Sequence, residues 1–250
     1  MWMAAYADTK SGRSSRQRLI HTTASKLFFT IRYEDGIAKG GSRLTYICIK
    51  GGGGTIPDPL AVYPFLTRIY QRESDFFTKI APKPRMKLPK VWWADHGVVV
   101  MNDLTYKGYE FTDPLQTWPA ERVLVVVEQL AALHAATWGM RSEGYPWITP
   151  AYEQLILGLM QTYDAEIRAD DGTPSSALSV EDRRAHENDT IDHYLKSLAE
   201  FGGPTMERDE EVMAEYAHSF MSSFSWVVAP SSMQTMERVH AMTKRYMAAI

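Results

Sequence analysis

A single cysteine, Cys48, is present in 250 residues. That excludes an intramolecular disulfide framework and a thiolate metal cluster. No apolar run approaches the ~20 residues that span a bilayer. Neither charge dominates, since 27 basic against 30 acidic residues leave a net charge of -3. A generic nucleic-acid or membrane-surface binder needs a basic excess or patch, so neither nucleic acid nor membrane is an expected partner. No internal repeat is visible. Core material is what the chain does have: 45% of its residues are hydrophobic and 12% aromatic, too many for a disordered chain. The N-terminal stretch "MWMAAYADTKSGRSSRQR" is short on apolar length for a signal peptide. It is basic, contains serine and has Asp8 as its one acid, which fits a transit peptide or an unstructured terminus. The expectation is that residues 1–18 are disordered, and that the protein is cytoplasmic.

Two strand-like stretches follow, "KLFFTIRY" (26–33) and "LTYICIK" (44–50). Both are rich in β-branched and aromatic residues, and the turn formers between them point to an antiparallel pair. "GGGGTIPDP" (51–59) reads as a flexible break. The helical spacing of "YPFLTRIYQRESDFFTKIAP" (63–82) sets Phe65, Ile69, Phe76 and Ile80 near one face. "KLPKVWWADHGVVVMNDL" (87–104) predicts two strands joined at "ADHG". Beyond that the pattern turns helical. A long buried helix is expected over 117–139, with Pro119 near its start and Gly139 past its end. Further helices are expected over 149–169, 179–203, 209–228 and 232–250, the third opened by a near capping box of Ser179 and Asp182. Strands gathered in the first 104 residues and helices after them predict a segregated α+β chain in two lobes.

Lys50 and the four glycines behind it resemble a phosphate-binding loop only superficially. A Walker loop needs its glycines before the lysine and a helix directly after. Here the glycines follow, and Thr55-Ile56-Pro57 does not open a helix. Lys50 by itself can simply end a strand. Its neighbours suggest more: a strand lysine, a helix carrying Arg72-Glu73, then strands ending in "VVVMNDL" follow the order of parts in kinase-like nucleotide sites. In those sites a helix glutamate keeps the strand lysine charged and aimed at phosphate.

The ordered set "CIKGGGG", "RIYQRESDFFTKIAP", "LPKVWWAD", "GVVVMNDLTYKG" and "QLAALHAATWG" resembles the aminoglycoside phosphotransferase family, nearest its choline- and ecdysteroid-kinase-like branch. The likeness runs from about residue 44 to 148 and again from 176 to 250. It implies a two-lobed protein-kinase-like fold: an N-terminal lobe over 19–104, with an antiparallel sheet and one helix, and a helical C-terminal lobe over 105–250. It also implies ATP and Mg2+ as cofactors, and a small molecule with a hydroxyl as substrate. By the same resemblance Lys50 pairs the phosphates, Glu73 holds it, and Met101, Asn102, Asp103 and Leu104 form the hinge whose backbone meets adenine. Asn102-Asp103 stands where the family often has an acidic pair, and no glycine-rich flap is evident earlier, where "SGRSSRQR" stands.

The family's catalytic loop reads H-G-D-x-x-x-x-N, and a second aspartate holds the metal. None of the seven histidines has that context. His96 and Gly97 precede Val98, His134 precedes two alanines, and Tyr194 stands where the asparagine counted from Asp189 belongs. No catalytic or metal-binding residue is therefore assigned. The helical lobe reads as internally truncated near 170–176, at "RADDGTPSSALSVEDRRAHE", as an altered splice or an erroneous gene model would leave it. Each large apolar side chain uncovered by such a loss forfeits ~1.5–3 kcal/mol of burial, against a net stability of ~5–15 kcal/mol. The expected outcome is a kinase-like protein impaired in catalysis. The alternatives are a pseudokinase that binds nucleotide or a partner, and a truncated product without function.

Other groupings have plainer readings. Glu143 with Asp164, Glu166, Asp170 and Asp171 is expected to be a solvated helix end and loop. His186, Asp189, Asp192 and His193 have spacing that a metal site could use, but a charged outer face is expected. The methionines from Met206 to Met247 fit core packing, and Trp92-Trp93 one inward and one outward ring on a strand.

Overall fold

The computed structural model describes residues 14–21, 24–31, 45–52, 64–111, 115–148, 178–221 and 235–247. It comprises two compact units, Met1–Lys79 with Leu88–Glu110, and Ile80–Lys87 with Phe111–Ile250. The division falls after Glu110, and Ile80–Lys87 groups with the helical part.

In the first unit, β1 (Ser14–His21), β2 (Ser25–Ile31), β3 (Tyr46–Gly51), β4 (Val91–Asp95) and β5 (Val98–Asn102) form one sheet in the order β1-β2-β3-β5-β4. Every neighbouring pair is antiparallel. The pair expected from residues 26–33 and 44–50 forms as β2 and β3, with Phe28 opposite Cys48 and Lys26 opposite Lys50. Residues 14–18 correct the sequence expectation, because they lie in β1 rather than in an unstructured terminus. β1 is an edge strand and needs only one partner, so it tolerates a charged sequence without clean alternation. A register shift between Arg16 and Arg18 blurs the pattern further. The Arg18 guanidinium lies 4.2 Å from the centre of the Phe28 ring, a cation–π contact that ties this strand to the next.

Cross-strand partners put Phe28, Cys48, Val99 and Met101 on one face of the sheet. With Ala94 they form a buried cluster covered by Ile20, Phe77 and Val91. Burial and the nearby Asp103 carboxylate push the Cys48 thiol up to about 11. This cysteine is an inert core residue rather than a nucleophile.

Helix α1 (Pro64–Asp75) runs on through a π-helical turn, Phe76–Ile80. Leu66 and Tyr70 are its deepest apolar residues, followed by Ile80 after the turn, whereas Ile69 and Phe76 are half-buried. The expected inward face therefore holds only at Ile80. Leu66, Tyr70, Phe77 and Ile80 follow one helical spacing, a position on from the expected Ile69 and Phe76, and Phe77 packs on the sheet cluster. The side chain of Phe65 lies outside the described residues.

The "ADHG" turn forms as read. His96 (φ 50) and Gly97 (φ 74) both take positive φ, as a two-residue hairpin of the favoured twist requires. The glycine break is corrected in part: Gly51 ends β3, and both Gly51 and Gly52 are buried. A Cβ on Gly51 would sit 2.7 Å from the Gly97 carbonyl oxygen. The first glycine is therefore a packing requirement, while residues 53–63 lie outside the described set.

The second unit contains α2 (Ala120–Thr137), α3 (Val180–Glu200), α4 (Glu210–Met221) and α5 (Met236–Met247). Pro119 is the N-cap of α2, and Gly139 follows its end with φ 73. At α3 the Ser179 hydroxyl oxygen accepts from the Asp182 amide at 3.0 Å and its hydroxyl donates to the Asp182 carboxylate at 2.7 Å. Gly202 (φ 90) and Gly203 close that helix, with the Gly203 amide donating to the Leu198 carbonyl at 2.9 Å. The expected burial of α2 is corrected. Only Ala131 and Ala132 on it are buried, while Val125, Val126 and Leu130 are 54%, 46% and 43% exposed. The helix expected over 149–169 and the seam near 170–176 lie outside the described residues. None of the described helices is long and apolar enough to cross a membrane.

Candidate functional site

Alternation along β3 turns Lys50 toward the same face as Cys48, the face that α1 covers. There Lys50 Nζ donates to Glu73 Oε1 at 2.5 Å, and the two side chains are 27% and 28% exposed. The carboxylate thus holds the ammonium at the rim of the core, where it still reaches solvent. The helix that brings Glu73 is itself pinned. Ser74, fully buried, accepts from the Gly97 amide at 3.1 Å and donates to the Gln71 carbonyl at 2.8 Å. Gly97 packs so tightly on α1 that a Cβ there would lie 3.1 Å from Tyr70 Cβ. The β4–β5 turn therefore fixes the height of Glu73 against Lys50.

Lys26, which sequence reasoning did not single out, lies directly across the ladder from Lys50. Burial, and after it the Lys50 ammonium, hold Lys26 below the ordinary lysine range, with Cys48 and Glu73 acting the other way. Its only signal is strand register, which cannot be read from one strand in isolation.

The residues expected to form a hinge lie at the end of β5. Met101 is buried opposite Cys48. Asn102 accepts from Trp92 Nε1 at 2.6 Å, and its amide donates to the Lys90 carbonyl at 3.1 Å. The Asp103 amide donates to the Tyr46 carbonyl at 3.0 Å, and its buried carboxylate accepts from the Thr105 amide (2.9 Å) and hydroxyl (2.5 Å). The Leu104 carbonyl accepts from the Lys107 and Tyr109 amides. Among the described residues, the Asp103 carbonyl and the Leu104 amide make no hydrogen bond. They belong to one trans peptide unit and so face opposite ways, the carbonyl as a free acceptor and the amide as a free donor. Tyr106 stacks on Tyr46 beside this segment.

For Mg2+ the fit is poor. Glu73 is engaged by Lys50, Asp103 by Thr105, and Asp75 by Lys79 at 2.7 Å. Among the described residues no three imidazole, thiolate or carboxylate groups converge. Of the α3 grouping, Asp192 pairs with Arg208 at 2.8 Å, and Asp189 stands 3.8 Å from His186. Glu143 is exposed, and its companions at 164–171 lie outside the described residues. Trp92 and Trp93 are both half-buried. The register shift between Val91 and Trp93 disturbs the strict inward and outward alternation expected of them.

A five-stranded antiparallel sheet whose central-strand lysine is held by a helix glutamate is the arrangement of a kinase-like nucleotide lobe. The ecdysteroid kinase-like family model matches residues 61–146, so the chain is similar to that family over the stretch that holds α1, β4, β5 and α2. Glu73 and the hinge lie inside that match, and Lys50 lies ahead of it. No curated protein and no solved structure matches the chain.

Proposed function

We propose that this chain is a cytoplasmic, nucleotide-binding protein of the small-molecule phosphotransferase type that does not itself carry out phosphoryl transfer. The observation that carries this reading is the Lys50–Glu73 pair at 2.5 Å, a solvent-reaching ammonium held by a carboxylate on an adjoining helix. When bound, ATP would supply a transferable phosphoryl group. Lys50 would hold its phosphates, and the backbone of Met101, Asn102, Asp103 and Leu104 would meet its adenine edge. A hydroxyl-bearing small molecule is the substrate class that the family likeness suggests. Phosphoryl transfer depends almost wholly on positioning and electrostatic stabilisation of metal and nucleophile, and the sequence offers no H-G-D-x-x-x-x-N loop to do either.

Equilibrium binding of a fluorescent ATP analogue, measured beside a phosphate-release assay, tests the proposal. Saturable binding that ATP competes away, without turnover, is the expected result. Turnover abolished by Lys50→Ala would reverse the non-catalytic part, and absence of binding would reverse the rest.

The exposure of Val125, Val126 and Leu130 on α2 favours a second reading, a splice or gene-model product missing a segment that covers them. Sequencing the transcript across codons 165–180 decides it: an uninterrupted message encoding this junction removes the gene-model explanation.

A further inference from the structure

We propose that Lys26 is a second phosphate-contacting cation, set beside Lys50 to take another phosphate of a nucleoside polyphosphate. The inference rests on the nucleotide reading of the Lys50 site and deepens it. Lys26 and Lys50 are direct partners in the β2–β3 ladder. Their side chains therefore leave the same face with Cβ atoms roughly 4.5–5.5 Å apart. Like charges in that relation repel and cost stability. Lys50, Glu73 and the Cys48 thiol are among the groups that act on Lys26. Burial and Lys50 depress its protonation, and an arriving polyanion reverses both the repulsion and the depression.

The rest of the site gives this second cation a role. Glu73 is occupied with Lys50, and the described carboxylates do not gather into a metal site. Side-chain cations are one way to meet the charge of a bound polyphosphate. The stretch before Lys26 reads His21-Thr22-Thr23-Ala24 and contains no glycine. A lysine at the start of β2 supplies from the sheet what a glycine-rich flap supplies from a loop.

The test is the acetylation rate of each lysine in the intact chain, followed by peptide mass spectrometry in the presence of EDTA. The additions are ATP, adenosine or inorganic tripolyphosphate. Protection of both Lys26 and Lys50 by ATP and by tripolyphosphate, with adenosine protecting neither, is the expected pattern. Protection of Lys50 alone overturns the proposal and leaves the nucleotide reading standing. Protection of both by tripolyphosphate but by neither nucleotide nor nucleoside keeps the two-lysine phosphate site and removes the nucleotide. No protection of Lys26 by any addition overturns the proposal. In parallel, Lys26→Gln should weaken tripolyphosphate binding by about tenfold or more, the worth of a charge-assisted hydrogen bond. Unchanged affinity in that variant contradicts it.

Discussion

At the residue scale, the roles proposed for Lys50 and Glu73 lie in binding rather than in stability. An ion pair that is about a quarter exposed on both sides contributes only about 0–1 kcal/mol to folding. Lys50→Met is therefore expected to lower nucleotide affinity by about tenfold or more while moving the unfolding midpoint little. Titration calorimetry and thermal unfolding of the same sample separate the two effects. A variant that binds normally, or that fails to fold, contradicts the assignment. Gly51 behaves in the opposite way. Its Cβ position is closed by the Gly97 carbonyl and Val98, so Gly51→Ala should destabilise by about 1–3 kcal/mol, the usual cost of overpacking. Urea unfolding measures this directly, and a neutral result would mean that the β3 end is looser than described. The pairing of Lys50 with Glu73 was legible as a sequence order. Lys26 was not, because a cross-strand neighbour exists only once register is known.

At the scale of elements, α2 and α3 are joined by a half-buried polar contact. His134 Nδ1 lies 2.6 Å from the Tyr194 hydroxyl. Burial lowers the His134 pKa and raises that of Tyr194. Because the folded imidazole binds its proton less readily than the unfolded one, the unfolded state takes up more protons as pH falls below about 6.5. Stability is thus intact above that value and declines as pH drops through it, until the folded imidazole also protonates. Urea midpoints at pH 7.5 and 5.5 should differ more in the parent chain than in His134→Gln, and equal slopes would remove His134 as the cause. The exposed face of α2 has its own test. Leu130→Gln should change stability by no more than about 0.5 kcal/mol, whereas Leu198→Ala, at a position 1% exposed, should cost roughly 2–5 kcal/mol. Sequence alone misjudged α2, since apolar composition predicts burial only if something covers it. It missed the phase of α1 because neighbouring positions, Ile69 with Tyr70 and Phe76 with Phe77, are both apolar or aromatic, and it missed β1 because a charged edge strand has no alternation to read. Ser179, Gly139 and the "ADHG" turn were legible because each acts through local backbone geometry.

At the scale of the molecule, the two units differ in how far they carry a function. The sheet unit has a closed core under α1 and contains every residue assigned to nucleotide binding. The helical unit has shallower features. One cavity of about 510 Å³ is lined by Asp192, Leu195, Met206 and Arg208, and another of about 360 Å³ by Lys83, Arg85 and Glu200. Neither contains a constellation suited to phosphoryl transfer. The α+β class followed from the segregation of strands and helices along the sequence. The most direct measurement is thermal unfolding of the purified chain with and without magnesium-ATP. If the sheet unit binds nucleotide, saturation at about 100 times Kd adds about 2.7 kcal/mol and raises the midpoint by roughly 5–10 °C for a chain of this size. A cooperative transition that shifts in this way is the predicted result. A broad transition indifferent to ATP would contradict the account.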